Sequence, residues 1–330
     1  MNFNNLIKGY REKIDERLSS LLKEQSKKEM PGLYEPMLYV MSGGGKRIRP
    51  LLLMLVCESV GGNPMQSLDA GVAVEILHNF TLVHDDIMDN AETRRGKETI
   101  HKKWNVNNAI LVGDELIALS YKSLLRTEST QIKEIAEAFT EGVIEVCEGQ
   151  ALDKDFETSE DVTIEDVTIE DYITMIRKKT AELLKASAFI GALIADSSDE
   201  VIESLKNYSL NIGLAFQIND DLLDVIADES EFGKKIGGDI LEKKKTFLYL
   251  KALEFLKGQE RENFVSLYSS DDENKIENVI SAYKNSCVIE STKSEIKKFT
   301  DIANESLDKI NLQNKNLLYS FSEMLMQRNY

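Results

Sequence analysis

Every proline in this chain, Pro31, Pro36, Pro50 and Pro64, falls in its first fifth, and residues 65–330 contain none. Proline removes a backbone donor and its ring clashes with the preceding turn, so a stretch this long without it is free to be helical throughout. The apolar pattern agrees. Ile110, Leu111, Leu116, Ile117 and Leu119, and later Ile132, Ile135, Phe139, Val143 and Val146, recur at three- and four-residue spacing, with no sustained alternation of period two. Helix-start signals punctuate the chain: Ser67 ahead of Asp69, Thr168 with Asp171 three residues on, and Ser198-Asp199-Glu200. The expectation is an all-α fold, a single-domain antiparallel bundle of ten or more helices spanning residues 1–330. At 161–170 the pentapeptide Asp-Val-Thr-Ile-Glu occurs twice in succession, too short to be a structural repeat. One copy is expected in a surface loop, with Thr168 capping the next helix.

Composition narrows the function. An apolar content of 42% suffices for a large core, and a formal net charge of −17 argues against nucleic acid or an anionic membrane as a partner. Cys57, Cys147 and Cys287 are odd in number and far apart, so neither a disulfide framework nor a Cys-x-x-Cys metal site is indicated, and a reducing cytoplasm fits. No signal peptide is evident at the N-terminus, and the longest apolar runs, such as Leu51 to Cys57, are too short to span a bilayer. The charge-dense residues 257–300 read as solvated helix faces.

Two aspartate pentads stand out against this background: Asp85-Asp86-Ile87-Met88-Asp89 and Asp220-Asp221-Leu222-Leu223-Asp224, each following an apolar helical stretch. At about 3.6 residues per turn, Asp85 and Asp89 share one helix face, as do Asp220 and Asp224, so each pentad presents a carboxylate claw. A lone acidic pair would read as a solvated face or a cap; two copies of one pattern in apolar settings do not. Oxygen-only claws suit a hard cation, Mg²⁺ above all, which takes one or two carboxylates and completes its shell with water and substrate phosphate.

Cations that could hold phosphate flank both claws. Ser42-Gly43-Gly44-Gly45-Lys46-Arg47-Ile48-Arg49-Pro50 is a glycine run leading into three cations, although a solvated turn would look much the same. Arg94 and Arg95 follow the first claw, and Lys179-Thr180 opens an amphipathic helix. After the second claw come Gly233-Lys234-Lys235-Ile236-Gly237-Gly238-Asp239 and then Lys243, Lys244, Lys245 and Thr246. Gln150 and Asp153 lie one turn apart and could line the site or serve as plain helix polarity, and Met88 and Met175 read as core.

In order and spacing, SGGGKRIRP, HDDIMDNAETRRG, KKTAELLKAS, FQINDDLLD and GKKIGGDILEKKKTF resemble the trans-isoprenyl diphosphate synthases from about residue 30 to about 250, with a weaker echo in NLLYSFSEMLMQRNY at the C-terminus. The resemblance implies a helical bundle around a central apolar cavity, and a Mg²⁺-dependent condensation of isopentenyl diphosphate with an allylic diphosphate. It assigns Lys46, Arg49, His78 and Arg95 to isopentenyl diphosphate, and Arg94, Lys179, Thr180, Gln217, Lys234 and Lys244 to the allylic diphosphate. Asp85 and Asp89, with Asp86 in support, and Asp220, Asp221 and Asp224 become the ligands of two or three Mg²⁺ ions. Asp85, Asp86, Asp89, Lys179, Asp220, Asp221 and Lys234 are the catalytic set that it implies. His84 and His101 receive no role, and Gln217 is expected on the face of Asp220. One departure concerns the last lysine site, where the family's Gly-Lys-x-Thr reads Lys243-Lys244-Lys245-Thr246 here. The missing glycine leaves open which lysine faces the phosphate.

The chemistry fits the pattern. Diphosphate leaves an allylic carbon only when its charge is neutralised, and the cation left behind must be kept from water in an apolar cavity. Thr81 and Phe80 precede Asp85 by four and five residues, about 6 to 7.5 Å along the helix axis. A ring there would floor the cavity, and it would serve equally as plain core. In the family, an aromatic at five and a small residue at four resemble archaeal-type geranylgeranyl diphosphate synthases, so geranylgeranyl is expected over farnesyl. A terpene cyclase would need no counterpart of Lys46, Arg49 and His78, and a non-catalytic partner subunit would be expected to carry degraded claws. The family resemblance further implies a homodimer, for which the apolar faces around Asn108 to Leu125 could supply the interface.

Overall fold

A computed structural model describes residues 2–25, 27, 29–158, 167–227 and 236–327. In chain order its helices are α1 (Phe3–Gln25), α2 (Pro31–Met41), α3 (Ile48–Ser59), α4 (Leu68–Met88), α5 (Ile100–Lys103), α6 (Val106–Leu124), α7 (Ile132–Thr158), α8 (Ile169–Ile176), α9 (Glu182–Ile194) and α10 (Asp199–Ile226). After these come α11 (Gly238–Leu241), α12 (Phe247–Phe255), α13 (Gly258–Ser269), α14 (Lys275–Asn285), α15 (Val288–Asp308) and α16 (Asn316–Met326). The all-α expectation holds. Among the described residues, the one sheet is a pair of two-residue strands, β1 (Thr93–Arg94) and β2 (Lys97–Glu98), too short for any alternation to register in the sequence. Arg95 and Gly96 join them with φ of 53° and 72°, and two left-handed central residues are what a tight hairpin turn needs to match strand twist.

Two compact units divide the chain. The first takes Met1–Ile144, Leu183–Lys206 and Ile310–Ser320. Its spine is α4, packed against α6, α3 and α1. Residues 70–77 of that helix are all buried, as are Leu51 to Cys57 of α3, so both helices are apolar nearly all round and lie in the interior. Ser67 does not cap α4 as expected. Its hydroxyl turns back to the Pro64 carbonyl at 2.7 Å, because a 3₁₀ turn over Pro64–Ser67 runs directly into the helix.

The second unit takes Glu145–Glu182, Asn207–Lys309 and Phe321–Tyr330. Its core is aromatic. Tyr172, Phe247, Tyr249, Phe264, Tyr268 and Tyr283 are all buried, with the rings of Tyr249 and Tyr268 centred 4.3 Å apart. Helices α13, α14 and α15 each contribute one buried stripe, such as Phe264 with Tyr268, and turn their charges outward as expected. Among the described residues, no helix is long and apolar enough to cross a membrane.

Thr168 caps α8 through a reciprocal box: its hydroxyl accepts from the Asp171 N–H at 3.2 Å while the Asp171 carboxylate accepts from the Thr168 N–H at 2.9 Å. The first Asp-Val-Thr-Ile-Glu copy lies outside the described residues. Replacing Thr168 by Ala should lower unfolding stability by about 1 kcal/mol in urea titrations, and Thr168→Ser should retain most of it.

Candidate active site

The first claw belongs to the first unit, at the carboxyl end of α4. Asp89 is the residue that ends the helix, donating its N–H to the Asp85 carbonyl at 2.9 Å, so the two carboxylates stand one turn apart. The outward-pointing carbonyls of a last turn carry partial negative charge, which opposes carboxylates and favours a cation. Arg94, brought back by the β1–β2 hairpin, supplies positive charge. Its Nε donates to Asp86 Oδ1 at 2.5 Å and its Nη2 to Asp85 Oδ2 at 3.3 Å. Burial nevertheless raises the Asp86 pKa above the ordinary carboxylate value, with the Arg94 charge pulling against it. Met88, expected in the core, is instead 52% exposed, because it ends the helix on the face away from the packed side chains.

Beside this claw the described cations gather around an imidazole. Burial, and then the charges of Arg49, Arg95, Arg94 and Arg47, push the His78 pKa well below its usual value, so the ring is neutral at physiological pH. Arg95 is itself lowered, first by burial and then by Arg47 and Arg94 among its neighbours. Its guanidinium donates to the Gly44 carbonyl. Gly44 and Gly45 have φ of 71° and 156°, and a Cβ on Gly45 would stand 3.2 Å from Arg47 Nη1 and 3.3 Å from Arg95 Nη1. Here the glycine run brings backbone against two guanidiniums, an approach that a side chain would crowd. A cluster of like charges, with Arg47 buried and Arg95 open to solvent, is a ready anion site, and guanidiniums match phosphate oxygens in pairs. Lys46, by contrast, is exposed on the loop.

Arg47 is one residue that sequence reasoning missed. It is buried and left-handed, with φ of 54°, and it anchors the loop: Nε donates to Asp15 at 2.9 Å and Nη1 to Glu75 at 2.6 Å. Burial opposes its charge, but Glu75 and Asp15 outweigh that and raise its pKa. A signal existed in Ala73-Val74-Glu75-Ile76-Leu77, where a carboxylate inside an apolar run demands a buried partner. Phe80 is buried with its ring centred 4.7 Å from that of His84, and Thr81 turns its hydroxyl to the His78 carbonyl at 2.8 Å.

The second claw belongs to the second unit, in the last two turns of α10. Asp221 is held by Tyr172 Oη at 2.6 Å, Gln217 Nε2 at 3.1 Å and the Phe247 N–H at 3.4 Å. Gln217, expected one turn before Asp220 on the same face, has its hydrogen bond with Asp221, and Thr180 Oγ1 in turn donates to Gln217 at 2.9 Å. Asp224 accepts from the N–H groups of Gly238 and Asp239 at 3.3 and 3.1 Å. The Asp239 carboxylate, not singled out beforehand, adds like charge. Burial and then Asp239 push Asp221 well up from the ordinary carboxylate range, and the same two causes push Asp224 up to about 6.

Lys179 and Thr180 do not open a helix. They lie in a five-residue π turn, Arg177–Ala181, between α8 and α9, where Lys179 Nζ meets Asp153 at 2.5 Å. Gly149 of α7 admits the turn, since a Cβ there would stand 2.6 Å from the Lys179 Cα. Lys244 Nζ lies 3.5 Å from Asp239 Oδ1 and 2.7 Å from Glu242, whereas Lys243 reaches outward to Asp271 at 3.0 Å. Lys243 also adopts the left-handed φ of 58° that a glycine would take without strain. Lys234 lies outside the described residues.

No three His, Cys, Asp or Glu side chains close on a point that could hold a metal ion among the described residues. Carboxylates alone, opposed by helix dipoles and with Asp86, Asp221 and Asp224 raised by burial, fit a hard cation whose remaining ligands come from water and an anionic substrate.

A sequence model for the Polyprenyl synthetase family matches residues 30–286. Geranylgeranyl diphosphate synthase from Methanosarcina mazei is 41% identical over 75% of this chain and 75% of its own length. Geranylfarnesyl diphosphate synthase from Natronomonas pharaonis is 35% identical over 97% of this chain and 96% of its own. The crystal structure of geranylgeranyl pyrophosphate synthetase from Pyrococcus horikoshii superposes with a TM-score of 0.90 at 35% identity, covering 99% of this chain and 100% of that one.

Two outcomes are expected. Glu75→Ala strips the buried Arg47 of its 2.6 Å partner and should cost about 3 kcal/mol in urea unfolding; a loss below about 1 kcal/mol would show that Asp15 suffices. With chelator present, the raised pKa values mean that the folded claw holds protons the unfolded chain has released. Stability should therefore fall as pH rises from about 4 through about 7, and Mg²⁺ should restore more of it at pH 8 than at pH 5, read from thermal midpoints.

Proposed function

This chain belongs to the polyprenyl synthetase family and is a short-chain trans-prenyltransferase, and we propose that it extends dimethylallyl, geranyl and farnesyl diphosphates with isopentenyl diphosphate, yielding geranylgeranyl diphosphate in preference to farnesyl. The observation that carries this reading is the content of one stretch of the first unit. The guanidiniums around His78 and the claw at Asp85 to Asp89 offer one surface for a bare anion and one for a metal-bound anion. A cyclase, which takes a single diphosphate, has no use for the first.

In this reading Lys46, Arg49, His78 and Arg95 bind isopentenyl diphosphate, and His78, whose pKa is held down by burial and then by the surrounding arginines, adds a hydrogen bond where a further charge would be repelled. Arg94, Lys179, Thr180, Gln217, Lys234 and Lys244 contact the allylic diphosphate. Asp85 and Asp89, supported by Asp86, and Asp220, Asp221 and Asp224 hold two or three Mg²⁺ ions. When bound, Mg²⁺ neutralises the diphosphate and makes it a leaving group. The allylic carbon–oxygen bond breaks, the double bond of isopentenyl diphosphate attacks the resulting cation, and the departing diphosphate takes up the proton then lost. Arg94 answers the charge on Asp85 and Asp86 before substrate arrives, and Tyr172, Gln217 and the Phe247 N–H fix Asp221.

The whole chain acts as one catalytic domain in the cytoplasm and pairs as a homodimer. Val106, Ile110, Leu111 and Leu125, all more than 40% exposed on or next to α6, are the apolar side chains in support of such a pairing. Phe80 limits product length from its place one turn and a residue before Asp85.

Incubating the chain with Mg²⁺, labelled isopentenyl diphosphate and each starter in parallel, then separating the dephosphorylated products, tests the proposal. Elongation of all three to a C20 product is expected, and no elongation with any starter would refute it. Phe80→Ala should shift products beyond C20. An unchanged distribution removes Phe80 from chain-length control.

A further inference from the structure

The departure at Lys243 has a structural counterpart. A side chain at φ of 58° is strained relative to right-handed backbone, yet this residue sets the direction of Lys244 immediately after it. The turn that contains it is held from outside the turn. Tyr268 of α13 is buried to 2% exposure, and its hydroxyl donates to the Lys244 carbonyl at 2.6 Å. The ring is fixed in its turn by Tyr249, centred 4.3 Å away, and by the buried Lys275, whose Nζ lies 5.4 Å from the ring centroid. Inside the turn, the Lys243 N–H donates to the Ile240 carbonyl at 3.2 Å and the Lys244 N–H to the Asp239 carbonyl at 3.0 Å. Three hydrogen bonds thus close on two residues, and the one from Tyr268 comes from a separate helix.

We propose that Tyr268 is a positioning residue that holds the strained Lys243–Lys244 turn, doing by an external hydrogen bond what a glycine at 243 would do by relaxed backbone, so that Lys244 is aimed at the Asp239 side of the second claw. The hydroxyl matters because the Lys244 carbonyl is the one point of the turn that it reaches. The ring matters because it is buried against Tyr249, Phe264 and Lys275, which hold the hydroxyl beside that carbonyl. Lys243 itself, with its ammonium on the exposed Asp271, contributes little through charge. The inference rests on the reading that Lys244 serves the allylic diphosphate, and a test can keep the two apart.

The test is a double-mutant cycle between Tyr268→Phe and Lys243→Gly, with Lys243→Ala as the control that removes the ammonium but keeps the Cβ. Loss of one hydrogen bond at a binding group should raise KM for farnesyl diphosphate about fivefold in Tyr268→Phe with kcat changed less. The same substitution should raise it less than twofold in the Lys243→Gly background and about fivefold again in the Lys243→Ala background. Equal effects of Tyr268→Phe in all three backgrounds, or none in the parent, would overturn the proposal. Urea midpoints measured for the same proteins report the clamp without reference to catalysis: the Tyr268→Phe loss should shrink with Gly at 243 and persist with Ala, and a uniform loss overturns the proposal equally. Lys244→Ala separates the underlying reading. If it leaves KM for farnesyl diphosphate unchanged while the urea cycle still shows coupling, Lys244 is no diphosphate ligand but Tyr268 still holds the turn.

Discussion

Carboxylates gathered at the carboxyl ends of helices are the constraint on which the rest of both sites depends. The polypeptide places Asp85 to Asp89 and Asp220 to Asp224 where exposed carbonyls already carry negative charge, and partly withdraws them from water. Each claw meets this electrostatic demand differently. At the first, a guanidinium carried by a hairpin lies against Asp85 and Asp86. At the second, neutral donors from Tyr172, Gln217 and the backbone do the holding, and Asp239 adds further negative charge. The second claw is accordingly the one whose carboxylates favour protons most in the absence of metal.

Much of this was legible. The absence of proline after residue 64 and the three- and four-residue apolar spacing specified helices; the repeated Asp-Asp-x-x-Asp pattern marked the claws; and Thr168 with Asp171 marked a helix start that forms with both of its hydrogen bonds. What was not legible depended on partners distant in sequence. Arg47 finds Glu75, 28 residues on, and nothing local separates it from Lys46 or Arg49. Met88 looked like core because its type is apolar, but the helix ends there and leaves it outside. Asp239 stood among glycines and lysines, and its importance comes from the fold placing it beside Asp221 and Asp224.

Left-handed backbone links these points. Six non-glycine residues among those described have positive φ, and three of them, Arg47, Arg95 and Lys243, are cations in or beside the sites. Each bends the chain sharply next to a group meant for an anion: the glycine loop, the hairpin, and the turn before Lys244. Strain of this kind persists only where surrounding contacts over-determine it, and here those contacts are visible as Glu75 and Asp15, the Gly44 carbonyl, and Tyr268.

The π turn at Arg177–Ala181 sets a limit of another kind. Such a turn is an α-helix that has absorbed one additional residue, so its length is counted in whole residues and cannot be adjusted by degrees. A chain one residue shorter here would close into regular α-helix, and side chains before the deletion would rotate by about 100° relative to those after it. Lys179 would then swing away from Asp153, or Thr180 from Gln217, and no single substitution could bring both back. The segment can therefore exchange residue types without losing its geometry, but it cannot change length.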